Sequence, residues 1–310
     1  MSDKAKTTDG QKQRADPKAF LSIIRPQNCV IGGLTVIAGL AMAYRVHPVG
    51  PSLSAYLYMF IFGYVTYFFV AAGGNVVNDI FDIEVDKINR PHRALPSGRM
   101  TVKQAWAYVV FLSLCGILFA WLNGPLGTLV VVFFEVVGYA YAAKVKALGL
   151  AGNFMVSFSF AFGVIYGSFL YAERVAFFVI PVPSWLFFLT AFMILQARET
   201  IKGAEDVEGD ALRNVRTIAR VFGNQAAVAL AAVLNIIGVA CYILVWILGY
   251  ASWDLWLLLL LGSAVVMGAA LFPLTGPNKK KRLVMGSTLD KVGALIGLVA
   301  FVIIPLYGAV

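Results

Sequence analysis

Residues 75 to 98 read NVVNDIFDIEVDKINRPHRALPSG. Asn75, Asp79, Asp82 and Asp86 recur at i, i+4, i+7 and i+11, so a helix carries them as one stripe. A second group lies in ARETIKGAEDVEGDALRNVRTIA, residues 197–219, where Glu199, Lys202, Asp206 and Asp210 also stand about one turn apart. Each group follows an apolar run, so its acids fall near the C-terminal end of a helix, where they oppose the helix dipole. Like charges one turn apart also repel, by about a few tenths of a kcal/mol per pair. Nearby basic residues or a divalent cation would offset this. Mg²⁺ is usually held by one or two carboxylates together with substrate phosphate oxygens. Two facing carboxylate rows match two Mg²⁺ ions bridging a diphosphate, with Arg90, Arg93, Arg198 and Lys202 available for the remaining phosphate oxygens. The same residues also suit solvated interfacial loops, or the ion path of a transporter, although transporters place their acids near the bilayer midplane.

The elements that must position these groups are membrane helices. Of the 310 residues, 60% are hydrophobic and 13% charged, against about half and a quarter in a soluble domain. Long uninterrupted apolar runs lack the alternation of a barrel strand. A crossing helix needs ~20 mostly apolar residues, and nine runs qualify: 28–45, 56–80, 104–122, 125–143, 150–171, 176–197, 224–248, 252–273 and 287–309. HPVGP, NGPLG, AERVA, GYASWD and TGPNKKKRL separate runs with turn chemistry. The expected fold is all-α and polytopic, with a single transmembrane domain over 21–310 behind a disordered polar tail at 1–20.

With the N-terminus cytoplasmic, all of the 25 lysines and arginines except Arg45 and Arg174 fall on the cytoplasmic side, as the positive-inside rule requires. The net charge of +9 is then a topology signal and argues against a nucleic-acid partner. Cys29, Cys115 and Cys241 are scattered through apolar sequence and suggest neither a disulfide framework nor a zinc site. His47 and His92 have no partners at metal-ligand spacing. Glu135 stands inside the fourth apolar run, where an ionisable group is expensive; function and simple pairing with a neighbouring helix explain it equally well.

Asn75-x-x-x-Asp79, Asn78-Asp79-x-x-Asp82-x-x-x-Asp86, Asn89-Arg90-Pro91-x-Arg93 and Leu95-Pro96-Ser97-Gly98, followed by Asp206-x-x-x-Asp210, resemble the paired aspartate-rich signatures of the UbiA-type intramembrane prenyltransferases. Arg25-Pro26-x-Asn28, Tyr141-x-x-x-x-Lys146 and Gly152-Asn153 match as well, so the resemblance covers nearly the whole chain. The block from Arg198 to Asp210 is most similar to the archaeal branch that makes digeranylgeranylglyceryl phosphate. Ala94 replaces a common proline, and Gly203 stands where that branch often has an aspartate.

The resemblance implies Mg²⁺-dependent transfer of a prenyl group, geranylgeranyl for this branch, from its diphosphate to a lipophilic acceptor. Geranylgeranylglyceryl phosphate is the acceptor it favours, ahead of an aromatic or quinone precursor such as 4-hydroxybenzoate. It implies metal ligands at Asn75, Asp79, Asp82 and Asp86 and at Asp206 and Asp210, with Asp79, Asp82, Asp206 and Asp210 catalytic. Substrate contacts are implied at Arg25, Asn28, Arg90, Arg93, Tyr141, Lys146, Asn153 and Lys202. The enzyme is expected in the plasma membrane, among its lipids, with the site facing the cytoplasm. A cation transporter has no evident use for NRPHRALPSG, and the DGxxAR signature of the CDP-alcohol phosphotransferases is absent from the sequence.

Overall fold

The computed structural model describes residues 16–48, 52–144, 149–212, 215–275 and 279–307, and among them no strand occurs. A short α1 (Pro17–Ile23) leads into α2 (Pro26–Val46) and α3 (Leu53–Phe81). A second short helix, α4 (Ile83–Asn89), precedes α5 (Val102–Asn123), α6 (Pro125–Ala143) and α7 (Leu150–Arg174). Then come α8 (Val182–Glu205), the short α9 (Val207–Leu212) and α10 (Ile218–Phe222), and finally α11 (Asn224–Ile247), α12 (Trp256–Leu271) and α13 (Lys279–Leu306). Among the described residues, nine long helices fall on the nine expected apolar runs. Eight of them are long and apolar enough to cross a membrane; α8 falls short because its last turns are polar.

The differences from expectation are local. The segment expected to be a tail to residue 20 is helical from Pro17, with Asp16 capping Lys18 N–H at 2.9 Å and Ala19 buried. The sixth run, expected from residue 176, becomes helical at Val182, where Pro181 caps it and Pro183 lies in the first turn, positions that proline tolerates. The last helix starts at Lys279 rather than at 287.

Successive long helices run in opposite directions. α3 packs on α5 and α2, α2 on α7, and α8 on α7, α11 and α13. α2 and α7 approach closely because glycines remove side chains from the contact: a Cβ on Gly39 would strike the Val164 carbonyl, and one on Gly167 the Val36 carbonyl. Ser168 Oγ seals this contact by donating to Gly39 O at 2.8 Å. Small residues that let backbones approach, joined by hydroxyl bridges, are how helices associate where lipid competes for apolar surface. On the outside, Leu114, Leu118, Trp121, Leu129, Phe133 and Val136 stay exposed on α5 and α6, an apolar exterior suited to acyl chains.

Candidate functional site

The N-terminal end of α2 and the C-terminal end of α3 meet at the first acidic group. Asn75 Nδ2 donates to Ile24 O at 2.8 Å, and Asn75 Oδ1 accepts from Arg25 Nη1 at 3.4 Å. Asp79, only 4% exposed, accepts from Arg25 Nη2 and from Arg93 Nη1, the latter at 3.1 Å. The same Arg93 nitrogen donates to Asp86 Oδ2 at 2.5 Å. Buried carboxylates need such partners, because an unpaired charge in a low-dielectric interior is very costly. Arg25 reaches Asp79 from a left-handed backbone conformation (φ 51°, ψ 65°) at the junction of α1 and α2. A non-glycine residue there costs of order 1–3 kcal/mol, and such strain clusters at functional sites.

Arg93 is fixed by the turns of NRPHRALPSG. Its N–H donates to Arg90 O at 3.0 Å, and its carbonyl accepts from Ser97 N–H at 3.0 Å and Ser97 Oγ at 2.6 Å. Ala94 and Leu95 are buried beneath it, against Val76, Val77 and Ile80 of α3. The expected single stripe from Asn75 to Asp86 is bent: α3 ends at Phe81 and α4 starts at Ile83, with Asp82 between them at φ −89°, ψ 0°. The helical bonds Asp82 N–H to Asn78 O at 3.0 Å and Asp86 N–H to Asp82 O at 2.8 Å persist across the bend, so Asp86 still meets Arg93.

The second group forms at the same end of the bundle, where α8 stops. Glu199 accepts from Arg198 Nη1 at 2.9 Å and from Lys202 Nζ at 3.0 Å. Here too the expected row is broken: α8 ends at Glu205, and Asp206 (φ −113°, ψ 31°) separates it from α9. The Asp206 carboxylate lies over Gly209 in the first turn of α9. Asp210 belongs to α9, but its side chain lies outside the described residues, as does Lys146 altogether.

The two groups are linked through α6 and α7. Tyr141, near the end of α6, lies within electrostatic reach of both Asp82 and Glu199. Asn153 Nδ2 in the first turn of α7 donates to Glu199 O at 3.4 Å. Gly149, at φ 63°, lies directly against Arg216 O, so a Cβ there would collide with the backbone. Arg90 and Asn28 are exposed at this end. Glu135 lies elsewhere, at the α5–α6 contact beside Gly116 and Ser113.

Two further oxygens lie here on residues outside the expected ligand set. Asn78 Oδ1 and Glu205 Oε1 are buried and have no hydrogen-bond partner. Both residues adjoin predicted ligands, and that adjacency was the available signal. The donor set of hard oxygens around Asp79 and Asp82, with one amide oxygen unsatisfied, suits Mg²⁺. Among the described residues no three acids, histidines or cysteines converge to cage a metal unaided. A cation here would draw further ligands from a phosphate, as Mg²⁺ commonly does.

Residues 33–288 match the model of the UbiA prenyltransferase family. The chain is 32% identical to the digeranylgeranylglyceryl phosphate synthase of Methanopyrus kandleri, over 92% of this chain and 98% of that one. A solved digeranylgeranylglyceryl phosphate synthase superposes with a TM-score of 0.73 at 27% identity, covering 93% of this chain and 98% of the other. A UbiA homologue from Archaeoglobus fulgidus, solved with GPP and Mg²⁺ bound, shares the fold with a TM-score of 0.61 at 16% identity, over 92% and 99% of the two chains.

Proposed function

Because the chain belongs to the UbiA prenyltransferase family and is an intramembrane prenyltransferase, we propose that it transfers a geranylgeranyl group from geranylgeranyl diphosphate to geranylgeranylglyceryl phosphate. The allylic carbon–oxygen bond to diphosphate breaks, an ether bond forms to the acceptor's glycerol hydroxyl, and diphosphate and a proton leave. The relatives named above support this donor and acceptor pair. The observation that carries the reading is the paired acidic site at one end of the bundle, with Asp79 and Asp86 on one arginine and Asn78 Oδ1 unsatisfied.

Asn75, Asp79, Asp82 and Asp86 would hold one Mg²⁺, and Asp206 with Asp210 a second. Bound there, the cation neutralises charge developing on the departing diphosphate. Arg25 and Arg93 are placed to transfer their donors from Asp79 to phosphate oxygens, and guanidinium forks match such oxygens well. Arg90, Lys146 and Lys202 add positive charge around the phosphates, while Asn28, Tyr141 and Asn153 orient the substrates. The nine long helices cross the plasma membrane with the N-terminus and both acidic groups on the cytoplasmic side.

A product assay by mass spectrometry tests the reading. Purified enzyme with Mg²⁺ and geranylgeranyl diphosphate is offered geranylgeranylglyceryl phosphate in one tube and 4-hydroxybenzoate in another. A diether product in the first tube alone is expected. A prenylated aromatic product alone would overturn the acceptor assignment.

A further inference from the structure

Away from both acidic groups, α13 carries an acid that the proposed chemistry does not use. Asp290 is 0% exposed and lies eight residues, roughly 12 Å, along the helix from Arg282 toward the bundle interior. It is just beyond the segment matched by the family model. Its Oδ1 accepts from Asn235 Nδ2 on α11 at 2.9 Å. Its Oδ2 is buried without a hydrogen-bond partner.

α8 packs against both α11 and α13, and from it comes a complementary orphan: Arg198 Nε is buried and has no partner. The guanidinium is within electrostatic reach of Asp290, while its Nη1 donates to Glu199 in the second acidic group. Arg198 thus has a wet edge and a dry edge. A positive group with an unused donor and a negative group with an unused acceptor occupy one low-dielectric core, where opposite charges attract strongly.

Building on the prenyltransferase reading, we propose that Asp290, pinned by Asn235, is a positioning residue: its buried charge attracts Arg198 across the α8–α13 contact and so orients the guanidinium, whose exposed edge, beside Lys202, presents positive charge to the substrate phosphates. The last membrane helix is in this way coupled to the second acidic group.

The test is a double-mutant cycle on full-length enzyme in lipid vesicles with Mg²⁺. Asp290→Asn keeps the side-chain shape and the Asn235 contact but removes the charge; Arg198→Lys keeps the charge but removes the Nε edge. Each is expected to raise KM for geranylgeranyl diphosphate about tenfold while kcat stays within about twofold, and the double variant is expected to be no worse than the poorer single one, the sign of coupled residues. Asp290→Glu is expected to keep KM near that of wild type. Multiplicative single effects, or an unchanged KM in Arg198→Lys, overturn the proposal. Should Asp290→Asn not yield folded protein, Asp290→Glu and Arg198→Lys carry the test by the same criteria. If the wild-type enzyme transfers no prenyl group at all, the functional reading has failed, and the pairing is then decided by whether the same cycle is non-additive in Tm.

Discussion

Asp79 and Asp86 share one nitrogen of Arg93, and Asp79 is also bound by Arg25. The arrangement balances charge without a metal, but only while both arginines stay. Removing one partner of a buried ion pair costs about 3–5 kcal/mol. Arg93→Ala is therefore expected to lower the unfolding free energy in detergent by about 3 kcal/mol. Saturating Mg²⁺ should recover part of that loss, and more of it than in wild type, because a dication can take the place of the lost guanidinium. An Arg93→Ala protein as stable as wild type, or one indifferent to Mg²⁺, would contradict the charge-balance account. At this scale the sequence was informative where chemistry is local: one-turn spacing marked Asn75, Asp79, Asp82 and Asp86. It was silent where partners are distant. Arg25 and Asp79 are 54 positions apart, and nothing in the order of residue types pairs Asp290 with Asn235, 55 positions earlier.

The long helices were legible because apolar length is a property of a run, and no fold-wide rearrangement hides it. Their ends were less so. The bend at Asp82 and the break at Asp206 fall inside stretches whose spacing of acids stays helical, and α1, α4, α9 and α10 are too short for periodicity to register. Two helices are also capped from elsewhere in the chain. α6 begins at Gly124–Pro125 with no side-chain cap of its own; the Glu173 carboxylate at the end of α7 accepts from Leu126 N–H at 2.9 Å and Gly127 N–H at 2.8 Å. At the C-terminal end of α13, Arg45 from α2 donates to the carbonyls of Ile304 and Tyr307. A carboxylate at an N-terminus and a cation at a C-terminus both complement the helix dipole. Glu173→Ala is expected to reduce stability by about 1–2 kcal/mol with unchanged KM for both substrates, because the cap lies at the end of the bundle remote from the acids. Thermal unfolding alongside steady-state kinetics checks this; a KM change without a stability change would place Glu173 in the substrate path instead.

The whole bundle explains why the helix least like a membrane span stands at its centre. α8 carries Ser184, Thr190, Gln196 and Thr200 buried along its length, and its neighbours are protein on several sides: α7, α11 and α13. Because so much of its surface meets helices and not acyl chains, it need not be apolar all round: Ser184 pairs with Ser168 at 2.8 Å, and Thr200 Oγ1 donates to Gln196 O at 2.8 Å. It runs the length of α7 in the opposite direction, since Ser184 meets Ser168 in one half and Asn153 meets Glu199 O in the other. If α8 lay along the surface, the two acidic groups would fall on opposite faces of the membrane and could not share a diphosphate. Single cysteines placed in a variant lacking Cys29, Cys115 and Cys241 decide the matter. His92→Cys and Phe222→Cys, both exposed, are expected to react with a membrane-impermeant maleimide in inverted vesicles only. Phe178→Cys, exposed between α7 and α8, is expected to react in right-side-out vesicles only. Labelling of Phe178→Cys and Phe222→Cys from the same face would mean that α8 does not cross, and the two-metal site would fall with it.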